Sequence, residues 1–173
     1  KKDSIVIFDT DSFNIRDLEK AAFTTDDPFK ELGMNKLQLV PVAITTMTKE
    51  SLKEMGLDNK AVLRSKNMFA LGLVCWLFNR PVEIADKLLE KKFLKNPKLV
   101  EANIRALNDG YNFGNNRHLT VSTYRIEALE PEKGFYTDIN GNLATAYGLI
   151  AAAEKANINM LLGSYPITPA TDI

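Results

Sequence analysis

Few side chains in this sequence are equipped for chemistry, and the best placed is Thr168, in the run Ser164-Tyr-Pro-Ile-Thr-Pro-Ala-Thr-Asp172. Proline favours the first position of a helix and threonine the position before it, so Thr168-Pro169 predicts a helix starting at Pro169 with Thr168 as its cap. Just ahead, Met160-Leu-Leu-Gly163 reads as a buried strand, and the loop then carries a strand end into a helix start. In α/β folds ligands bind outside the carboxyl ends of strands. The free N–H groups of a helix start favour a carboxylate or phosphate there, and the Thr168 hydroxyl adds a donor. From the residues alone the plainer reading is the stronger one: Thr168 caps, and Pro166 and Pro169 stiffen a turn.

The other reactive types have plainer roles. Cys75 is the sole cysteine and His118 the sole histidine, which excludes an internal disulfide, a Cys/His zinc site and a four-cysteine iron–sulfur site. Cys75 lies inside an apolar run where burial suppresses the thiolate, so it packs rather than attacks. His118 has no Ser, Cys or Asp at a motif distance and reads as an exposed linker residue. Asp9-Thr-Asp-Ser12 follows a strand and could form a ligand loop, but Asp and Ser more simply cap the next turn or helix. Asn67 and Asn103 are polar residues on apolar faces, expected to satisfy buried backbone or a facing helix. A Gly-rich strand-to-helix turn and a flavin fingerprint are both missing, which argues against an unrelated nucleotide-binding domain and against any electron carrier in this chain.

The scaffold for these residues has 173 positions, 45% of them hydrophobic and 25% charged, enough for one domain or one domain plus part of another. Twenty-two Lys and Arg balance twenty-two Asp and Glu, so no global field favours nucleic acid or an anionic membrane. Met68 to Phe78 is the longest apolar run, too short to cross a bilayer, and the opening Lys-Lys-Asp is followed by only four apolar residues, not a secretory signal. The expectation is a soluble chain in a reducing cytoplasm.

Ser4-Ile-Val-Ile-Phe8 reads as a fully buried strand of an α/β sheet and Leu37 to Ile44 as a second, which Pro41 demotes to an edge or bulge. Thr48 to Leu57 follows as a short amphipathic helix. Asn67 to Phe78, apolar on every face, predicts a helix covered all round, with Gly72 admitting another backbone. Pro81 starts a half-exposed helix through Phe93, and Asn96-Pro97 starts another that ends near Gly110 or Gly114. Beyond Asn115 the polar residues are isolated, Thr120 to Ile126 alone could be a strand, and Glu130-Pro-Glu-Lys-Gly134 is turn chemistry. Gly141 to Ala156 is a small-residue helix able to approach a neighbouring backbone.

Gly141-Asn-Leu-Ala-Thr-Ala-Tyr-Gly148 followed by Gly163-Ser-Tyr-Pro-Ile-Thr-Pro-Ala-Thr-Asp-Ile173 resembles the start of the thiamine-pyrimidine domain of 2-oxoacid:ferredoxin oxidoreductases. Upstream, Asn67-Met-Phe-Ala-Leu-Gly72, Trp76-Leu-Phe-Asn-Arg-Pro81 and Asn103-Ile-Arg-Ala-Leu-Asn-Asp-Gly-Tyr111 resemble the γ domain that some members carry fused ahead of it. The order matches a fused α subunit, closest to the 2-oxoglutarate type. The resemblance implies an α/β fold: a Rossmann-like γ domain over residues 1–114, truncated at its N-terminus because the usual glycine-rich loop is absent, and a linker over 115–137. Residues 138–173 would be the first elements of a thiamine-pyrimidine-binding α/β domain, ending before the glutamate that activates thiamine diphosphate in this family.

The resemblance further implies oxidative decarboxylation of 2-oxoglutarate or a related 2-oxoacid to its coenzyme A thioester. Thr168 would be the catalytic residue and bind the substrate carboxylate, with Tyr165 and Pro166 beside it as further substrate-binding residues. No cofactor is expected on this stretch by itself. Thiamine diphosphate, Mg²⁺ and an iron–sulfur cluster belong to the full assembly, with the diphosphate and Mg²⁺ on a separate β subunit and ferredoxin as electron acceptor of an oligomer. The competing expectation is a non-catalytic module of γ type that serves subunit assembly.

Overall fold

The computed structural model describes residues 4–34, 36–116, 122–165 and 167. They form a mixed α/β structure, mostly helical with one small parallel sheet, in two compact units, Lys1–Glu127 and Ala128–Ile173.

In the first unit the β-branched run forms strand β1 (Ile5–Asp9), and Gln38–Val42 forms β2 parallel to it, in register from Ile5 opposite Gln38 to Asp9 opposite Val42. The crossover holds two short helices, α1 (Ile15–Lys20) and α2 (Pro28–Glu31). The Asn14 side chain accepts from the Asp17 N–H at the start of α1. At α2, Asp27 accepts from the Lys30 N–H and Pro28 takes the first turn. Phe8, Phe13 and Phe29 meet with ring centroids 4.6–5.5 Å apart and fasten this crossover to the strand. β1 is half-buried along its length rather than fully buried, because among the described residues β2 is its only neighbour. Gln38 N–H donates to the Ser4 carbonyl, so the period-two alternation turns the Pro41 nitrogen to the side away from β1, where no ladder bond is lost.

Helix α3 (Ile44–Leu52) begins directly after β2, four residues before the start predicted at Thr48, and runs into a 3₁₀ turn over Lys53–Met55. Helix α4 (Asn59–Leu77) also starts early, since Asp58 caps it by accepting from the Ala61 N–H at 2.7 Å. Its end is a Schellman closure: Asn79, at φ 48°, occupies the left-handed position and Arg80 N–H returns to the Cys75 carbonyl. Helix α5 (Glu83–Lys92) and helix α6 (Pro97–Asn116) follow, the latter capped by Asn96, whose side chain accepts from the Leu99 N–H.

Val40, Val42, Ile44, Phe69, Leu73 and Leu77 form the core between the sheet and α4, and a second cluster joins Leu52, Val62 and Ala102. Each large side chain fully withdrawn from water here contributes about 1.5–3 kcal/mol. The other face of α4 lies on α6 at backbone contact. A Cβ on Gly72 would stand 2.0 Å from the Leu107 carbonyl oxygen, and one on Gly110 would stand 2.0 Å from the Phe69 carbonyl oxygen. Gly72 therefore admits another backbone, as its position predicts. Gly114 lies near the end of α6, as expected of it, and Gly110 lies further inside. They serve the same close packing, Gly114 against the Trp76 ring.

Residues 122–126 form no strand, but Tyr124 is held: its N–H donates to the Leu77 carbonyl, Asn79 Nδ2 donates to its carbonyl, and its ring stacks on Phe78. The second unit contributes α7 (Gly141–Ala156), capped by Asn140 and closed by Asn157 in the left-handed conformation. No residue of α7 is buried and a Cβ on Gly148 would meet nothing, so the close backbone approach expected of its small residues has no counterpart among the described residues. Met160–Gly163 is not a strand. A strand needs a ladder partner, and the described residues offer this run none; Leu161 is 96% exposed.

Candidate functional site

Two carboxylates of the first loop do structural work. Thr10–Ser12 form a 3₁₀ turn after β1, and Asp9 accepts from the Asp11 N–H within it. Asp9 Oδ2 also accepts from the Thr45 hydroxyl at 2.6 Å and its Oδ1 from the Thr45 N–H at 3.3 Å. Asp11 accepts from the N–H and the hydroxyl of Thr46. The Ala43 side chain cannot cap α3, so the β1 loop caps it from across the sheet. Burial works against the charged form of Asp9. The bonds from Thr45 and Asp11, with the Lys66 ammonium 3.8 Å away, nevertheless hold its carboxyl below the usual value. Asp9-Thr-Asp-Ser12 is a capping loop, the simpler of its two readings.

Asn103 is buried and donates to the Leu99 carbonyl, as expected, whereas Asn67 is exposed, and its expected role in satisfying buried backbone is corrected. Asn67 lies on the wall of a groove of about 1060 Å³ between α4, α5 and the start of α6. The groove also corrects the expectation that α4 is covered on every face. Leu71 and Val74 are 38% and 42% exposed, and across from them Ile84 and Leu88 of α5 are 64% and 61% exposed. Helix α5 packs against α6, with Leu89 its one buried residue, which leaves the space beside α4 open. Cys75 is buried at the groove wall, where desolvation raises its thiol pKa against the opposing charge of Arg80, so packing is its role. Four cations line the groove, Lys60, Arg64, Arg80 and Lys92, against one acid, Asp58, which also caps α4. None of these cations figured among the sequence candidates. The available signal was their place at helical spacing beside apolar positions.

Of the residues expected to hold a substrate, Thr168 and Pro166 lie outside the described residues, as does His118. Tyr165 is described and 70% exposed, next to Ser164, whose hydroxyl donates to the Tyr165 carbonyl at 3.4 Å. The groove and Tyr165 belong to different units. Among the described residues no three His, Cys, Asp or Glu side chains gather as a metal-ion donor set, and no helix is long and apolar enough to cross a membrane.

Comparison with known proteins gives a consistent picture. Residues 1–113 match the family described as pyruvate ferredoxin/flavodoxin oxidoreductase. The chain is 38% identical over 169 residues to the 2-oxoglutarate oxidoreductase subunit KorA of Mycobacterium tuberculosis, covering 98% of this chain and 26% of that protein. It is 25% identical over 154 residues to the 2-oxoacid:ferredoxin oxidoreductase 1 subunit alpha of Aeropyrum pernix, covering 87% of this chain and 22% of that protein. The chain thus spans about a quarter of the length of these curated relatives. No solved structure matches it.

Proposed function

The chain belongs to the pyruvate ferredoxin/flavodoxin oxidoreductase family, and on that premise we propose that it is part of the α subunit of a thiamine-diphosphate-dependent 2-oxoacid:ferredoxin oxidoreductase. The substrate is 2-oxoglutarate or a related 2-oxoacid. One observation carries the reading: the similarity to a 2-oxoglutarate oxidoreductase subunit runs over 98% of the chain, through both units without a change of relative. Residues 1–114 are the Rossmann-like γ domain, 115–137 the linker, and 138–173 the first elements of the thiamine-pyrimidine-binding domain.

In the overall reaction the 2-oxoacid, coenzyme A and two oxidised ferredoxins give the acyl thioester, carbon dioxide, two reduced ferredoxins and a proton. The C1–C2 bond breaks, its two electrons leave to ferredoxin, and the thioester bond forms. The described residues do not fit Mg²⁺ or an iron–sulfur cluster, since they gather no three His, Cys, Asp or Glu side chains as a donor set. The β subunit and the remaining subunits of the oligomer would supply them. The role proposed for this chain is binding: Thr168 holds the oxoacid carboxylate at a helix start, and Tyr165 and Pro166 contact the substrate beside it. The assembly works in the cytoplasm, a setting that suits the single unpaired cysteine.

The test is anaerobic reduction of ferredoxin by the full-length α subunit with its β partner. Reduction should require coenzyme A and proceed with 2-oxoglutarate at a higher kcat/KM than with pyruvate. A preference for pyruvate overturns the substrate assignment, and reduction without coenzyme A overturns the reaction.

A further inference from the structure

The groove beside α4 has a shape that selects its occupant. Leu57, Arg64, Leu71 and Phe78 recur every seventh residue along its wall, with Ala61, Met68 and Cys75 falling between them at the complementary heptad step. Such a stripe keeps facing a neighbour that runs alongside the helix, and from Ala61 to Phe78 it extends about 25 Å at the rise of an α-helix. Among the described residues of the first unit, α5 is not such a neighbour, because it packs on α6 and only its Leu89 is buried, and the segment after α6 adds only Ile126 to the groove lining. The exposed pair Ile84 and Leu88, one turn apart, forms the opposite wall.

Charge is distributed along this groove unevenly. Arg64 and Lys60 lie toward the N-terminal end of α4, and Lys92 lies at the C-terminal end of α5, all three exposed. The apolar residues Leu71, Val74 and Phe78 occupy the other half of the wall, with Arg80 just beyond them after the end of α4. In a chain with a formal net charge of zero, a groove lined by four cations and one carboxylate carries a local excess of positive charge.

We infer that this groove is the docking site for an acidic amphipathic helix of another polypeptide, its apolar face on Leu71, Val74, Ile84 and Leu88 and its carboxylates on Arg64 and Lys92. The heptad stripe selects a helix over a compact ligand, and the excess of cations over carboxylates on the lining selects an acidic partner over a second copy of this face, which would set like charges together. The inference stands apart from the reaction proposed above.

The test uses the 173-residue chain and synthetic peptides of three heptads with leucine at the first and fourth positions. One carries glutamate at the end meeting Arg64 and Lys92, a second carries lysine there, and a third keeps the glutamates with the leucines scrambled. By fluorescence anisotropy the first should saturate at one peptide per chain while the other two do not. The double variant Arg64→Glu, Lys92→Glu should weaken it by about ten-fold or more, and Leu88→Asp should abolish it; all three positions are exposed, and circular dichroism confirms the fold. Four results overturn the inference: no binding of the acidic peptide, equal binding of the lysine or scrambled peptide, a dimer in sedimentation that Leu88→Asp dissolves, or saturation by dodecanoate where no peptide binds.

Discussion

Asp11 and Thr46 are joined by two hydrogen bonds, the Asp11 carboxylate accepting from the Thr46 N–H at 2.7 Å and from its hydroxyl at 3.0 Å, although β2 and the whole crossover separate them in sequence. With the parallel pair Asp9 and Thr45, this joint caps α3 from β1 and fixes the helix to the sheet. Asp11→Ala removes one capping acceptor and should cost about 0.5–2 kcal/mol of stability in urea unfolding, with the far-ultraviolet spectrum of the folded state unchanged.

The same joint sets a pH dependence. Asp9 has its folded pKa below the ordinary 3.8, so the stability it contributes is fully present above that value and is lost as the pH falls through the lower, folded pKa. Glu31 has the same sign from an ordinary 4.5, held down first by the Thr24 N–H and then by the hydroxyls of Thr24 and Thr25. Stability should therefore begin to fall below about pH 4.5 and continue below 3.8. In Asp9→Asn the lower part of that loss should shrink, as read from urea midpoints across the acid range.

Gly72→Ala tests the contact between α4 and α6. A methyl group 2.0 Å from the Leu107 carbonyl oxygen has no side chain to displace, only backbone, so the helices must part. Overpacking of this kind costs about 1–3 kcal/mol or more. Differential scanning calorimetry should show a lower Tm. Gly141→Ala, where a Cβ meets nothing, should leave Tm close to its starting value.

Limited trypsin digestion should cut first at Lys133 and not at Arg125. Arg125 follows Tyr124, whose backbone is bonded at both its N–H and its carbonyl to the end of α4, while residues 128–139 are all exposed and have no regular secondary structure. Mass spectrometry of the first fragments decides between the two sites.

Thr168→Val in the full-length enzyme tests the binding role proposed for that loop. Loss of a charge-assisted hydrogen bond to the substrate carboxylate, about 1.5–3 kcal/mol, lowers kcat/KM by roughly 10- to 150-fold. A lower melting temperature with unchanged kinetics instead makes Thr168 a helix cap alone.

What the sequence disclosed follows the range of the forces involved. The start of α6 at Asn96-Pro97 was legible because the cap and the first-turn proline are adjacent. The start of α3 was not, because its caps are Asp9 and Asp11 and no local window contains them. The first turns of α4 are hard to see in the apolar pattern because Asn59 to Lys66 is amphipathic rather than apolar, although Asp58 signals the start. Met160–Gly163 has the composition of a strand, but composition cannot supply a ladder partner. The resemblance singles out the run that carries Thr168, which lies outside the described residues. The groove was not legible, since its walls come from two helices that meet only in the fold.

The placement of α5 bears on how this chain tolerates change. α4 and α6 touch backbone to backbone at Gly72 and Gly110, and the segment joining them runs outside that contact and is anchored through one buried side chain, Leu89. Such an arrangement is modular. The joining segment can be lengthened or recut without prising the two long helices apart, so variation in partner choice can accumulate there while the scaffold stays the same.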